Sequence, residues 1–134
     1  MRDEVFLLGR ILFSLVLLDN AVNHLRNTDA SAGYAEFKQV PNARTMVQLT
    51  GVLMALGGLA VVLGVFMDLA ALCIAVLVVI YAIKMHDFWT VDDFQRRGSE
   101  RAHFTKNISI AGGALILVAV TTDFTPYTLT DAVF

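Results

Sequence analysis

The sequence predicts an all-α polytopic membrane protein: a single four-transmembrane-helix bundle spanning residues 1–134. Composition points there first. Hydrophobic residues make up 57% of the chain and charged residues 16%, whereas soluble domains run at about 45–50% and about 25%. A chain of 134 residues has much surface for its volume and would need polar groups to cover it in water. Four long apolar segments are the second observation. Their residue types are the third: the runs are continuous and rich in Leu, Ala and Val. Helices satisfy their own backbone in lipid, which lipid-exposed strands do not.

The first segment covers residues 5–25. Only Ile11–Leu18 lies uncharged between Arg10 and Asp19, so the helix either lies in the interface or spans with a polar face turned inward. Spanning is favoured, because ionisable groups within a membrane normally point into a bundle. Arg10 and Asp19 are both expected to face protein. Arg10 lines up with Ser14, Leu17 and Ala21. It either pairs near Asp68 or the C-terminal tail that holds Asp123, or snorkels to the interface.

The second segment, residues 45–67, carries no charge. It alone meets the requirement of about 20 helical residues for a core of about 30 Å. The third, residues 68–88, must run past Lys84, which can snorkel. The fourth, residues 103–122, places Lys106 about one turn inside the interface. A turn at Phe66-Met67-Asp68 makes an antiparallel hairpin of segments two and three. Between segments one and two, Tyr34 and Phe37 suit a short interfacial helix that Pro41 ends. Residues 87–102 read as a charged loop. Gly51, Ala55 and Gly58, with Gly57 and Gly64, and Ala111-Gly112-Gly113-Ala114 read as packing seams. Cys73, the single cysteine, excludes an intrachain disulfide and reads as a small core residue.

The net charge of −2 gives no basic field for nucleic acid, and no basic run interleaves with aromatics. The MRDE start and the missing cleavage site argue for a retained N-terminus. Arg26, Lys38, Arg44, Lys84, Arg96, Arg97, Arg101 and Lys106 lie on the long-loop side, against Arg2 and Arg10 on the other. That bias predicts cytoplasmic loops and both termini outside.

With this topology Asp19, Asn23, His24, His86, Trp89, Lys106 and Asn107 converge near one membrane level. They are the candidate substrate-binding cluster, with Arg10 a separate intramembrane polar group. Imidazole titrates near neutral pH and can exchange protons with a quinone or similar redox substrate. Trp, His and Lys also gather at membrane interfaces as anchors, and the sequence leaves both readings open. His24, His86 and His103 form no recognised ligand spacing, so no metal site is expected. Neither Walker, dinucleotide-binding, nucleophile-elbow nor Cys-pair motifs occur.

Leu8-Gly9-Arg10-Ile11-Leu12 through Asn23-His24-Leu25 resembles the first helix of the DoxX family. Val40-Pro41, Gly57-Gly58-Leu59, Leu63-Gly64-Val65-Phe66 and Leu69-Ala70-Ala71-Leu72 are similar in order. So are His86-Asp87-Phe88-Trp89, and Phe104-Thr105-Lys106-Asn107 before Gly112-Gly113. The resemblance, over about Leu8 to Val118, implies a four-helix protein of the bacterial inner membrane. Some relatives are subunits of a thiosulfate:quinone oxidoreductase; others join a membrane redox complex with a superoxide dismutase and a sulfurtransferase. It implies a subunit supporting quinone- or thiol-linked redox chemistry within a larger complex, with a quinone as the cofactor and none bound covalently. Its motif positions carry over to Arg10, His24, His86, Trp89, Lys106 and Asn107. The alternative is a non-catalytic accessory subunit of a large respiratory or photosynthetic complex. The bilayer and other membrane subunits are the expected partners, and whether this chain is itself an enzyme stays open.

Overall fold

The computed structural model describes residues 1–134. Five α-helices follow in order: α1 (Arg2–Arg26), α2 (Thr28–Phe37), α3 (Ala43–Leu63), α4 (Met67–Met85) and α5 (Phe94–Thr121). A 3-10 turn at Phe88–Thr90 separates the last two. α1, α3, α4 and α5 are long and apolar enough to cross a membrane. Large apolar side chains are exposed on all four. In water such surface would aggregate; facing acyl chains, it is the normal exterior of a membrane bundle.

The bundle is built from two close pairs, α1 with α3 and α4 with α5. Small residues set the first. A Cβ added to Gly51 would lie 2.9 Å from the His24 Cβ, and one on Gly58 would lie 3.0 Å from Leu18. Without a hydrophobic force between helices in lipid, such contact is what holds them together. The pairs meet in a core of Leu17, Val61, Ile74, Val78, Ala111, Ala114 and Leu117.

α1 buries one stripe: Arg10, Ser14, Leu17, Ala21 and His24. This is the expected face. Arg10 is 1% exposed and does not snorkel. Its Nε donates to Val61 O at 2.9 Å and one Nη to Val62 O at 2.7 Å. Both Nη atoms reach the tail, at Pro126 O (2.9 Å) and Tyr127 O (3.2 Å). The guanidinium thus caps the last-turn carbonyls of α3, which have no partner within the helix and carry its negative dipole end. Asp123 is not its partner.

The C-terminal tail is held at this end of the bundle. Asp68, fully buried at the start of α4, accepts Val133 N–H at 2.6 Å and Phe134 N–H at 2.9 Å. Gly64 O accepts from the amides of Leu129 and Thr130. Gly64 has φ +68, and its Cβ position is 2.6 Å from Thr128 Cα. Only glycine combines that backbone with that approach. It ends α3 four residues earlier than the apolar run suggests.

Other expectations need correction. Asp19 is exposed, not turned to protein. It lies nine positions from Arg10, and at about 100° per residue that is the opposite side of α1. One helix cannot bury both. Cys73 is exposed, not in the core: in lipid, an apolar side chain gains little by choosing the inside, so residue type does not report its face. Residues 94–102 are helix, not loop. Asp93 caps α5 by accepting Arg96 N–H at 2.7 Å. The 28-residue helix, about 42 Å long at its usual rise, therefore projects beyond the bilayer.

Candidate functional site

At the loop end, α1, α3, α4 and α5 surround a cavity of about 170 Å³. Its walls include Asn20, His24, Tyr81, His86, His103, Lys106 and Asn107, over an apolar base of Leu17, Met54, Val78 and Ile110. A wider vestibule of about 400 Å³ lies beside it, lined by Asn23, Asn27, Ser31 and Tyr34, and it shares His24, Tyr81 and His86 with the cavity. Those three side chains form the partition between the two.

The two partition histidines differ in what they have left to offer. His24 Nδ1 lies 3.2 Å from Thr50 Oγ1, and Nε2 lies 3.0 Å from the Tyr81 hydroxyl. Thr50 already donates to Met46 O at 2.9 Å, so its oxygen accepts the His24 Nδ1–H. Nε2 then accepts from Tyr81. Both nitrogens are spent in tying α1 to α3 and α4.

His86 follows α4, where the helix ends. Its Nδ1 lies 2.8 Å from Glu100 Oε2. The other carboxylate oxygen accepts the Tyr34 hydroxyl at 2.6 Å. Glu100 is 8% exposed. With the carboxylate accepting on both oxygens, His86 carries its proton on Nδ1, and Nε2 makes no bond within the chain. His103 stacks on the His86 ring, with centroids 5.0 Å apart. Burial and then the bond to Glu100 push the Tyr34 hydroxyl well above its ordinary pKa, so it remains a donor.

Asn107 is 6% exposed, yet its side chain has no hydrogen-bond partner in the chain. The amide opens on the cavity rather than into packed side chains. Asn20 and Lys106 are also unpaired on the cavity wall. The site therefore combines unused donors, one imidazole nitrogen free to accept, and an apolar base. That is the usual make-up of a small-molecule pocket.

The residues singled out from sequence divide accordingly. His24, His86, Lys106 and Asn107 share the cavity. Asn23 borders the vestibule and bonds to Asn27 at 2.8 Å. Asp19 stands apart on the outer face of α1, and Arg10 belongs to the opposite end. Trp89 is also outside the cavity. It is half exposed and packs edge-on against Phe88 and Phe104, in a separate groove with Phe37, Lys84 and Arg96. Beside it, Lys38 and Asp87 form an ion pair that ties the end of α2 to the end of α4. Asn20, Tyr34, Tyr81, Glu100 and His103 were not apparent from sequence.

The DoxX family profile matches residues 5–87, well over half of the chain. The chain belongs to the DoxX family. No curated protein and no solved structure shows significant similarity to it. The match takes in α1 to α4, including His24, Tyr81 and His86. This DoxX protein draws the rest of its cavity wall, His103, Lys106 and Asn107, from α5, beyond the matched residues.

Proposed function

We propose that this DoxX protein binds the head group of a quinone in the loop-end cavity and serves as a membrane subunit of a redox assembly. The observation that carries the reading is the Asn107 amide, which has no partner in the chain and opens on the cavity beside the free His86 Nε2. A quinone head needs donors for its carbonyl oxygens and apolar surface for its ring. Asn20, Lys106 and Asn107 offer the first; Leu17, Met54, Val78 and Ile110 offer the second.

The His86–Glu100 pair fits the proton side of such chemistry. When a bound quinol is oxidised, it loses two electrons and two protons. His86 Nε2 takes a hydroxyl proton as general base, and the Glu100 carboxylate stabilises the imidazolium that results. In the reverse direction the imidazolium returns that proton to a quinone oxygen. The second proton leaves through the vestibule water. In quinol oxidation the electrons pass to an oxidised redox carrier on a partner subunit; in quinone reduction they come from that carrier in its reduced form or from a thiol-class donor, which goes to the disulfide.

Titrating a short-tailed ubiquinone or menaquinone analogue into the purified chain in lipid nanodiscs tests this. Saturable one-to-one binding at micromolar concentration is expected. Only non-saturable partitioning, equal to that of empty nanodiscs, would leave the accessory-subunit reading in its place.

The same reading places the protein in the bacterial inner membrane with both termini outside and the cavity toward the cytoplasm. It rests on the Lys and Arg bias between the two ends. In a Cys73→Ser background, a cysteine at Ser99 should react with an impermeant maleimide only after the cells are opened, and one at Thr130 in intact cells. The opposite pattern would reverse the orientation.

A further inference from the structure

Asp19 sits where a carboxylate is costly. It is exposed on a spanning helix, in a stripe with Leu8, Leu12, Leu15 and Val22, all of them exposed and apolar. It makes no ion pair or hydrogen bond within the chain. Charged groups in spanning segments face a partner or water rather than lipid, so this position calls for a cation from outside the monomer.

The chain itself presents one at the same depth. The contact of Phe13 with Gly113, where an added Cβ would lie 3.3 Å from the ring, fixes the level of α5 against α1. From there Asp19 lies six residues and Lys106 seven residues toward the loop end, about 9 Å and about 10 Å along antiparallel helices. Lys106 is exposed at the rim of the cavity and forms no ion pair either.

We infer that two copies of the protein pair side by side, the outer face of α1 in each meeting the cavity rim of α5 in the other, so that the Asp19 of each copy meets the Lys106 of the other. A two-fold axis along the membrane normal keeps depth constant, so one symmetric contact satisfies both charges twice. The pairing also brings a second copy to the rim of each cavity, through Lys106.

Charge reversal in two separately tagged chains tests the contact in nanodiscs, with far-UV circular dichroism reporting folding. The wild-type chain should be dimeric. Asp19→Lys alone and Lys106→Asp alone should each weaken the dimer at least about tenfold, because like charges then face each other twice. Co-expressed, the two variants should pair with each other, since each mixed contact is again Lys against Asp. Asp19→Asn, which inserts more easily than the wild type, should also lower the dimer fraction. A wild-type chain that is monomeric in lipid overturns the inference. So does failure of the two folded variants to pair, even where the double variant alone is normal, which is the pattern an Asp19–Lys106 contact within one chain would give.

Discussion

Arg10→Leu should destabilise the protein by about 3 kcal/mol or more, although leucine is the better residue for membrane insertion. Arg10 is the hub of one end of the molecule. Its five hydrogen bonds reach the α3 carbonyls of Val61 and Val62 and the tail carbonyls of Pro126 and Tyr127. Removing the guanidinium strands several of these acceptors where little water reaches, and each buried orphan costs about 1–3 kcal/mol. The loss of a cation at the negative end of α3 adds to this. Arg10→Lys keeps the charge but not the planar fork and should recover only part of the loss. Unfolding in mild detergent, together with protease sensitivity of residues 122–134, measures both effects. A leucine variant as stable as the wild type, with its tail still protected, would show that the cap contributes nothing.

Glu100→Gln should weaken quinone binding about tenfold, equivalent to about 1.4 kcal/mol, while leaving the helices in place. Glu100 accepts two hydrogen bonds at once, from Tyr34 at 2.6 Å and from His86 at 2.8 Å. Glutamine offers one acceptor and an N–H pair, so one of the two donors then faces a donor. If Tyr34 keeps the oxygen, His86 must move its proton from Nδ1 to Nε2, and the nitrogen left to accept at the cavity is lost. Glu100 is a positioning residue in this account, acting through His86. Nitrogen NMR of labelled histidine reads that shift directly, which a merely structural role would not produce. Tyr34→Phe leaves the His86–Glu100 bond intact and should have the smaller effect. An unchanged His86 tautomer and unchanged binding in Glu100→Gln would remove the pair from the mechanism.

The bundle was legible because lipid imposes simple demands. Length and apolarity alone marked the four spans, and the stripe Arg10, Ser14, Leu17, Ala21 identified the buried face of α1. The same arithmetic, carried nine residues on, contradicts the expectation that Asp19 faces inward as well. That error came from applying the rule for intramembrane charge to each residue separately, without turning the helix between them. His24, fourteen residues beyond Arg10, returns to the buried face and was readable. Glu100 was hidden for a different reason. Residues 87–102 are so charged that they resemble a loop, and the helix there is stabilised by contacts with α2 and α4 that no local pattern announces. Tyr34 looked like an interfacial aromatic, yet its hydroxyl is what completes the Glu100 pair. Trp89 had the composition of a pocket wall and the location of an anchor, a distinction only tertiary structure makes.

The central claim is that a quinone head lies between His86 and Asn107 over the Leu17, Met54, Val78 and Ile110 base. A photoreactive quinone analogue, bound to the protein in nanodiscs, illuminated and mapped by mass spectrometry, tests it most directly. The account predicts labelling confined to the residues of α1, α3, α4 and α5 that line this cavity, suppressed by excess unlabelled quinone and lost in His86→Ala. Labelling spread over the exposed stripes of the four helices, and indifferent both to the competitor and to His86→Ala, would contradict it.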